Sequence, residues 1–218
     1  MIIRGVSVVC VDSNVDFAYE VRKKTMHITT FIDYECFKRL KLNSDDFHTI
    51  VITFTQNSSK EIRIGNKGLI VHIGFDKEKY LSIRSDTVEL HKYLYSLIIE
   101  AIKKVHKEYS IVPIDEVLKT MKEFQDLNYV YTWSYKKKKD KNRKLFVELS
   151  CRLELDKFSL KLVAVRNGDE EICNRIILET DSDPFAYKYE FKDIIVEEKQ
   201  IRVTQDYFPE TDLFILKL

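Results

Sequence analysis

Tyr129, Tyr131, Trp133 and Tyr135 occupy every second position of one short segment, and the chain then runs into Lys136, Lys137, Lys138, Lys139, Asp140, Lys141, Asn142, Arg143 and Lys144. In an extended strand all four rings point to one face. Rings beside cations are recognition chemistry: aromatic faces offer contact area at low entropic cost, and ammonium and guanidinium groups attract carboxylates or phosphates. Three readings compete for this stretch. The rings can line the inner face of a sheet, leaving the lysines as a solvated hairpin tip that discourages edge aggregation. They can anchor an acidic protein partner, with Lys136, Lys137, Lys138, Lys139, Lys141, Arg143 and Lys144 steering it. Or bases can stack on the rings while the cations follow phosphates, as in an RNA- or single-strand-binding module. With 36 Lys and Arg against 35 Asp and Glu, the formal net charge is only +1. That near-balance gives no global pull toward nucleic acid, and no RNP1-like run is present, so a protein partner is favoured over nucleic acid.

Other residue types suited to chemistry are present without the spacing that chemistry needs. The five glycines, Gly5, Gly65, Gly68, Gly74 and Gly168, form neither GxGxxG nor GxxxxGK, so the common phosphate cradles are absent. There is no GxSxG elbow, HExxH or EF-hand loop. His106-Lys107-Glu108 offers the HxE of a zinc deaminase, but no PCxxC follows it. His27, His48, His72, His91 and His106 lack the mutual spacing of a ligand pair; His48 and His72, among β-branched and aromatic neighbours, read as histidines in or beside a sheet. The acidic pairs Asp45/Asp46, Asp181/Asp183 and Glu197/Glu198 read as turns, a helix start or solvated strand edges. Cys10, Cys36, Cys151 and Cys173 are far apart and lie among apolar residues, the pattern of free thiols used as small hydrophobes. The sequence therefore nominates no catalytic, metal or cofactor-binding residue. One more stretch stands out: acids alternate with large rings through Asp206-Tyr207-Phe208-Pro209-Glu210-Thr211-Asp212, a loop that either folds back as a lid or presents anchors to a basic partner.

The elements that position these residues follow from periodicity. Val15, Phe17, Tyr19 and Val21 alternate with polar residues, and Phe47–Phe54 and Leu69–Phe75 are β-branched runs. Glu61–Ile64 closed by Gly65-Asn66-Lys67-Gly68 reads as a hairpin. Residues 1–84 are thus expected to form a strand meander, interrupted by a short helix over Tyr34–Leu42. Leu90, Leu94, Leu97, Ile98, Ala101, Ile102 and Val105 recur at helical spacing and predict a helix over Thr87–Lys107, started by Asp86 with Glu89 three positions on. A second helix follows Pro113, carrying Ile114, Val117, Leu118, Met121 and Phe124. Leu145 to Leu155 alternates without interruption and must bury one face. Further strands are expected at Phe158–Arg166, Ile172–Thr180, Tyr187–Phe191, Ile194–Thr204 and Leu213–Leu218.

Strands, two helices, then strands define an α+β protein, mainly antiparallel sheet at both ends with two central amphipathic helices packed on it. A parallel sheet needs a crossover between successive strands, which these connections look too short to supply. The expected division is 1–108, strand meander plus helix, and 109–218, helix plus antiparallel strands, with Tyr109–Pro113 as the boundary; the two can equally form one compact domain. At 218 residues, 44% hydrophobic, the chain can bury a core without staples. No run resembles a membrane span, and the opening MIIRGVSVVCVDSNVD lacks the apolar core and cleavage site of a signal peptide, so a soluble, cytoplasmic protein is expected. The expected function is non-enzymatic protein binding, of the type of a stoichiometric inhibitor or toxin-neutralising immunity protein. The alternatives are the nucleic-acid module above, or a hydrolase whose site is assembled only by folding.

Overall fold

The computed structural model describes residues 2–56, 62–110, 113–208 and 210–218. Glu61 of the expected hairpin, residues 111 and 112 of the expected boundary and Pro209 of the C-terminal loop lie outside the described residues. Among the described residues, eleven strands in three sheets and five α-helices make an α+β protein of two compact units, Met1–Tyr129 and Val130–Leu218.

In the first unit β1 (Gly5–Cys10) leads to Asn14, whose side chain accepts the Phe17 N–H and starts α1 (Val15–Phe31). The strand expected over Val15–Val21 is therefore corrected to a helix. Alternating apolar residues also contain an i, i+4 pair, and the cap selects which period is used. Phe17 and Val21 are buried, whereas Val15 and Tyr19 are exposed. The helix continues as a π-helical segment over Ile32–Lys38, so the helix expected at Tyr34–Leu42 is the end of a longer one.

That helical stretch supplies the crossover which the sequence reading found missing. β1 pairs parallel with β2 (Thr49–Thr55), and β2 pairs parallel with β4 (Gly68–Gly74). Among the described residues only the strand β3 (Ile62–Gly65) is antiparallel in this sheet, to β4, giving the order β1-β2-β4-β3. The expected meander is thus corrected to a mixed sheet. Its hairpin is present: Asn66 and Lys67 have φ of 50° and 62°, as a tight turn between β3 and β4 requires.

Asp76 caps α2 (Lys77–Ile83), a helix the sequence reading missed, and the Asp86 carboxylate accepts the Val88 and Glu89 N–H groups at the start of α3 (Thr87–Tyr109). The α3 stripe from Leu90 to Val105 is buried as its spacing predicts. In α4 (Ile114–Asp126), Val117, Met121 and Phe124 are buried. α4 packs on α3 and on the π-helical segment. It therefore belongs with the first unit, although the sequence reading grouped it with the strands that follow.

The second unit is antiparallel throughout. β5 (Tyr131–Asp140), β6 (Leu145–Leu153), β7 (Phe158–Arg166) and β8 (Glu170–Thr180) form a meander, and a second sheet has the order β11-β10-β9. These three are β9 (Ile194–Val196), β10 (Gln200–Thr204) and β11 (Asp212–Lys217). Leu145, Val147, Leu149, Cys151, Leu153 and Leu155 are buried, as their alternation predicts. Two expected strands are corrected. Tyr187–Phe191 follows a helical turn, α5 (Pro184–Tyr187), because the Asp183 carboxylate accepts the Phe185 N–H and Pro184 suits the first helical position. Ile194–Thr204 is two strands, turning where the Glu197 N–H meets the Gln200 carbonyl. Among the described residues, no helix is long and apolar enough to cross a membrane.

Candidate functional site

The ring ladder does not survive as one face. Tyr129 leaves α4 through two left-handed residues, Asn128 (φ 54°) and Tyr129 itself (φ 59°), which turn its ring back into the first unit. There it is buried, stacked on His91 with centroids 4.7 Å apart and edge-on to Phe124 at 5.6 Å. Tyr131 and Trp133 stay together in β5, stacked at 4.7 Å and opposite Leu153 and Cys151 of β6. Tyr131 is buried; Trp133 is partly buried and reaches Phe158 at 6.1 Å.

Tyr135 is a β-bulge. The ladder pairs Ser134 with Ser150 and then Lys136 with Leu149, leaving Tyr135 unmatched. A bulge re-aims side chains and reverses the alternation beyond it. Lys136 and Lys138 consequently stand opposite Leu149 and Val147, where both reach Asp193, at 3.4 and 3.7 Å. Burial pushes the Asp193 carboxyl upward, but the Ile194 N–H together with Lys138 and Lys136 holds it below the usual carboxylate range. Lys137 and Lys139 take the opposite face, Lys137 toward Glu148 at 3.4 Å and Lys139 over the Phe146 ring at 5.9 Å.

At the tip, the Asp140 carboxylate accepts the Asn142 and Arg143 N–H groups, and the Arg143 guanidinium folds back to donate to the Glu197 carbonyl. Arg143 is therefore committed within the unit. Lys141 and Lys144 are exposed in the turn, with no ion pair among the described residues.

The bulged ring joins the predicted hairpin to the acid-and-ring loop near the C-terminus. Tyr135, 42% exposed, sets its edge on Phe191 at 4.8 Å and donates from its hydroxyl to the Lys192 carbonyl. Lys192 pairs with Asp206 at 3.0 Å, and the Tyr189 carbonyl accepts both the Asp206 and Tyr207 N–H groups. The rings of Tyr189 and Tyr207 meet edge to face at 5.4 Å, and Tyr207 lies 6.1 Å from Phe208. Thr211 fastens the loop, donating its N–H to the Phe208 carbonyl, with its hydroxyl proton in reach of both that carbonyl at 2.8 Å and the Gln205 side-chain oxygen at 3.0 Å. The lid reading fails here, because Tyr207 is 70% and Phe208 64% exposed. Sequence reasoning marked this loop but missed Tyr189, which it assigned to a strand. Asp183-Pro184 was the available signal for the turn.

Among the described residues the other chemical groups gather less densely. Among the described residues no three His, Cys, Asp or Glu side chains gather as a metal site. His27 and His91 do meet, with ring centroids 4.8 Å apart, but inside the core of the first unit. A groove of about 690 Å³ on the outer face of the β5–β8 sheet is lined by Thr132, Ser150, Arg152, Ser159, Lys161, Asn174 and Arg175. It holds hydroxyls, an amide and the cationic residues Arg152, Lys161 and Arg175, with no carboxylate among its lining residues.

Fold and surface thus define an α+β protein with an exposed ring-and-charge surface on its antiparallel unit. No family model, curated protein or solved structure matches the chain.

Proposed function

We propose that this is a non-enzymatic protein whose work is to hold another protein, as a stoichiometric inhibitor or a toxin-neutralising immunity protein does. The observation that carries this reading is the outward presentation of Tyr207 and Phe208 on a loop fastened by its own hydrogen bonds. Exposed rings on a pre-ordered loop bury large apolar area at little conformational cost, the usual character of interface anchors. Tyr189 and Tyr135 extend the surface toward the hairpin. The exposed carboxylates of Glu190, Asp206 and Glu210 suit a basic patch opposite the rings, while Lys139, Lys141 and Lys144 suit an acidic one opposite the tip.

The test begins with co-purification from the native cell and identification of the bound protein by mass spectrometry. Its affinity is then measured for the parent chain and for Tyr207→Ala/Phe208→Ala. Each anchor is expected to contribute about 2 kcal/mol or more to binding. The denaturation midpoint should not move, since both rings are exposed. Equal affinity of parent and variant, or recovery of nucleic acid in place of protein, refutes the reading.

A further inference from the structure

The groove of about 690 Å³ on the β5–β8 sheet has a polar block on three neighbouring strands. Thr132 of β5 stands opposite Arg152 of β6, Arg152 opposite Ser159 of β7, and Ser150 opposite Lys161. Directly opposed side chains of an antiparallel ladder share a face, with Cβ atoms about 5 Å apart. Leu149, Cys151 and Leu153 take the buried side between these positions. The block is partly withdrawn from water: Ser159 is 6% exposed and Lys161 is half-buried.

The carboxylates bordering the block are engaged by other groups. Glu148 pairs with Lys137 at 3.4 Å, Glu179 pairs with Lys157, and Glu171 accepts the Asn174 amide at 2.7 Å. Glu154 takes Nε and Nη2 of Arg152, which leaves Nη1 of that guanidinium. Arg175, opposite Leu162, stands on the other face with its guanidinium 5.2 Å from the Phe214 ring centre, so it borders the block without belonging to it. Lys161 differs from all of these cations. Among the described residues its ammonium meets no carboxylate, and the Thr132, Ser150 and Ser159 hydroxyls around it make no hydrogen bond.

From this arrangement we infer that the groove binds a phosphate monoester, with the phosphoryl oxygens on the Lys161 ammonium and the Ser150 and Ser159 hydroxyls and the rest of the ester along Thr132 and Ile176. A phosphoryl group carries three terminal oxygens and nearly two charges at neutral pH, so it takes several donors converging on one point. One ammonium with hydroxyls from β6 and β7 supplies them, whereas a carboxylate has two oxygens and leaves donors unused. A nucleic-acid strand takes a file of cations along its phosphates, and the block has a single unpaired ammonium. The groove is of the size that holds a small organic molecule, about 300–1,000 Å³, so the ester part has room beside its phosphate. The ester arrives either as a free small molecule or as a phosphorylated side chain of another protein. None of the lining residues belongs to the ring loop, so this test is separate from that of the proposed function.

The probes are glycerol 3-phosphate and a short acetylated phosphoserine peptide, each titrated into the full chain by calorimetry at fixed ionic strength, with glycerol and the unphosphorylated peptide as controls. Saturable one-to-one binding of a monoester is expected, and none of either control. Tighter binding of glycerol 3-phosphate assigns the groove to small molecules; tighter binding of the peptide assigns it to a phosphorylated partner. Lys161→Gln should weaken binding at least about tenfold, since it removes a charge-assisted hydrogen bond. Ser150→Glu sets a carboxylate opposite Lys161 and should abolish binding at an unchanged urea midpoint, because residue 150 is partly open to solvent. That variant carries the test should Lys161→Gln not fold. Failure of both monoesters to bind, equal affinity in the parent chain and Ser150→Glu, or saturable binding of a single-stranded oligonucleotide without binding of either monoester overturns the inference.

Discussion

Lys136 stands directly across from the fully buried Leu149 in the β5–β6 ladder, in the place that strict alternation reserves for Tyr135. One extra residue in the strand moves the aromatic ring out of the ladder and brings a lysine to the Asp193 carboxylate. The same bulge sends Tyr135 to Phe191 and so couples the hairpin to the ring loop.

The paired strands β5 and β6 predict opposite outcomes for a buried leucine and for the lysines across from it. Leu149→Ala, at a fully buried site, should cost about 2–5 kcal/mol, read as a lower urea midpoint at unchanged slope. Replacing Lys137, Lys138 and Lys139 with Ser should cost under about 1 kcal/mol, because their ion pairs are solvent-screened. The same triple replacement should slow or weaken association with an acidic partner surface. A midpoint unchanged by Leu149→Ala contradicts the assignment of that face.

Gly5 marks a close approach. A Cβ there would stand 2.6 Å from the Asp33 carboxylate, which already accepts the Val6 N–H. Gly5→Ala should therefore destabilise the first unit by about 1–3 kcal/mol through overpacking. Adding Asp33→Ser should recover part of that loss. If Gly5→Ala alone has the parent's stability, the contact does not constrain β1.

His27 makes stability depend on pH. It is fully buried, 4.8 Å from the His91 ring and 6.2 Å from Phe124, and burial first, then His91, holds it well below its ordinary 6.5. Below that ordinary value the unfolded chain binds the proton and the folded chain does not. The contribution is thus complete at neutral pH and is lost as pH falls from 6.5 toward the depressed folded value, at up to about 1.4 kcal/mol per pH unit. Urea midpoints measured down through that window should drop for the parent chain and drop less for His27→Gln. Parallel losses in both would assign the effect to other groups.

The thiols should be inert in the folded chain. Burial pushes Cys36 and Cys151 up to about 12, and burial with the Asp12 charge pushes Cys10 to about 11. Since the thiolate is the reactive form, iodoacetamide at neutral pH should leave Cys36 and Cys151 unlabelled, and denaturant should expose all four cysteines to it. Rapid labelling of native Cys151 would place it outside the core.

The long-period signals were legible in the sequence. The α3 stripe, the β6 alternation and the Asn66-Lys67 turn each rest on interactions within a few residues or on one uninterrupted apolar face, so residue order alone determines them. Val15–Val21 was ambiguous because one spacing fits two periods; the Asn14 cap and burial of Phe17 and Val21 on one side decided for helix. That local outcome changed the sheet, since a helix between β1 and β2 is what permits parallel pairing.

The candidate site was half legible for a related reason. Residue types at 129–144 and 206–212 announced rings and charges, but which rings face outward depended on events that leave no periodic trace. Two left-handed residues at 128 and 129 turn one ring inward, and a bulge at 135 reverses the strand. Tyr189 joins Tyr207 only because main-chain hydrogen bonds bring distant segments together. Composition and spacing determined that recognition chemistry exists in this protein; non-local pairing and single-residue backbone geometry decided where it is displayed.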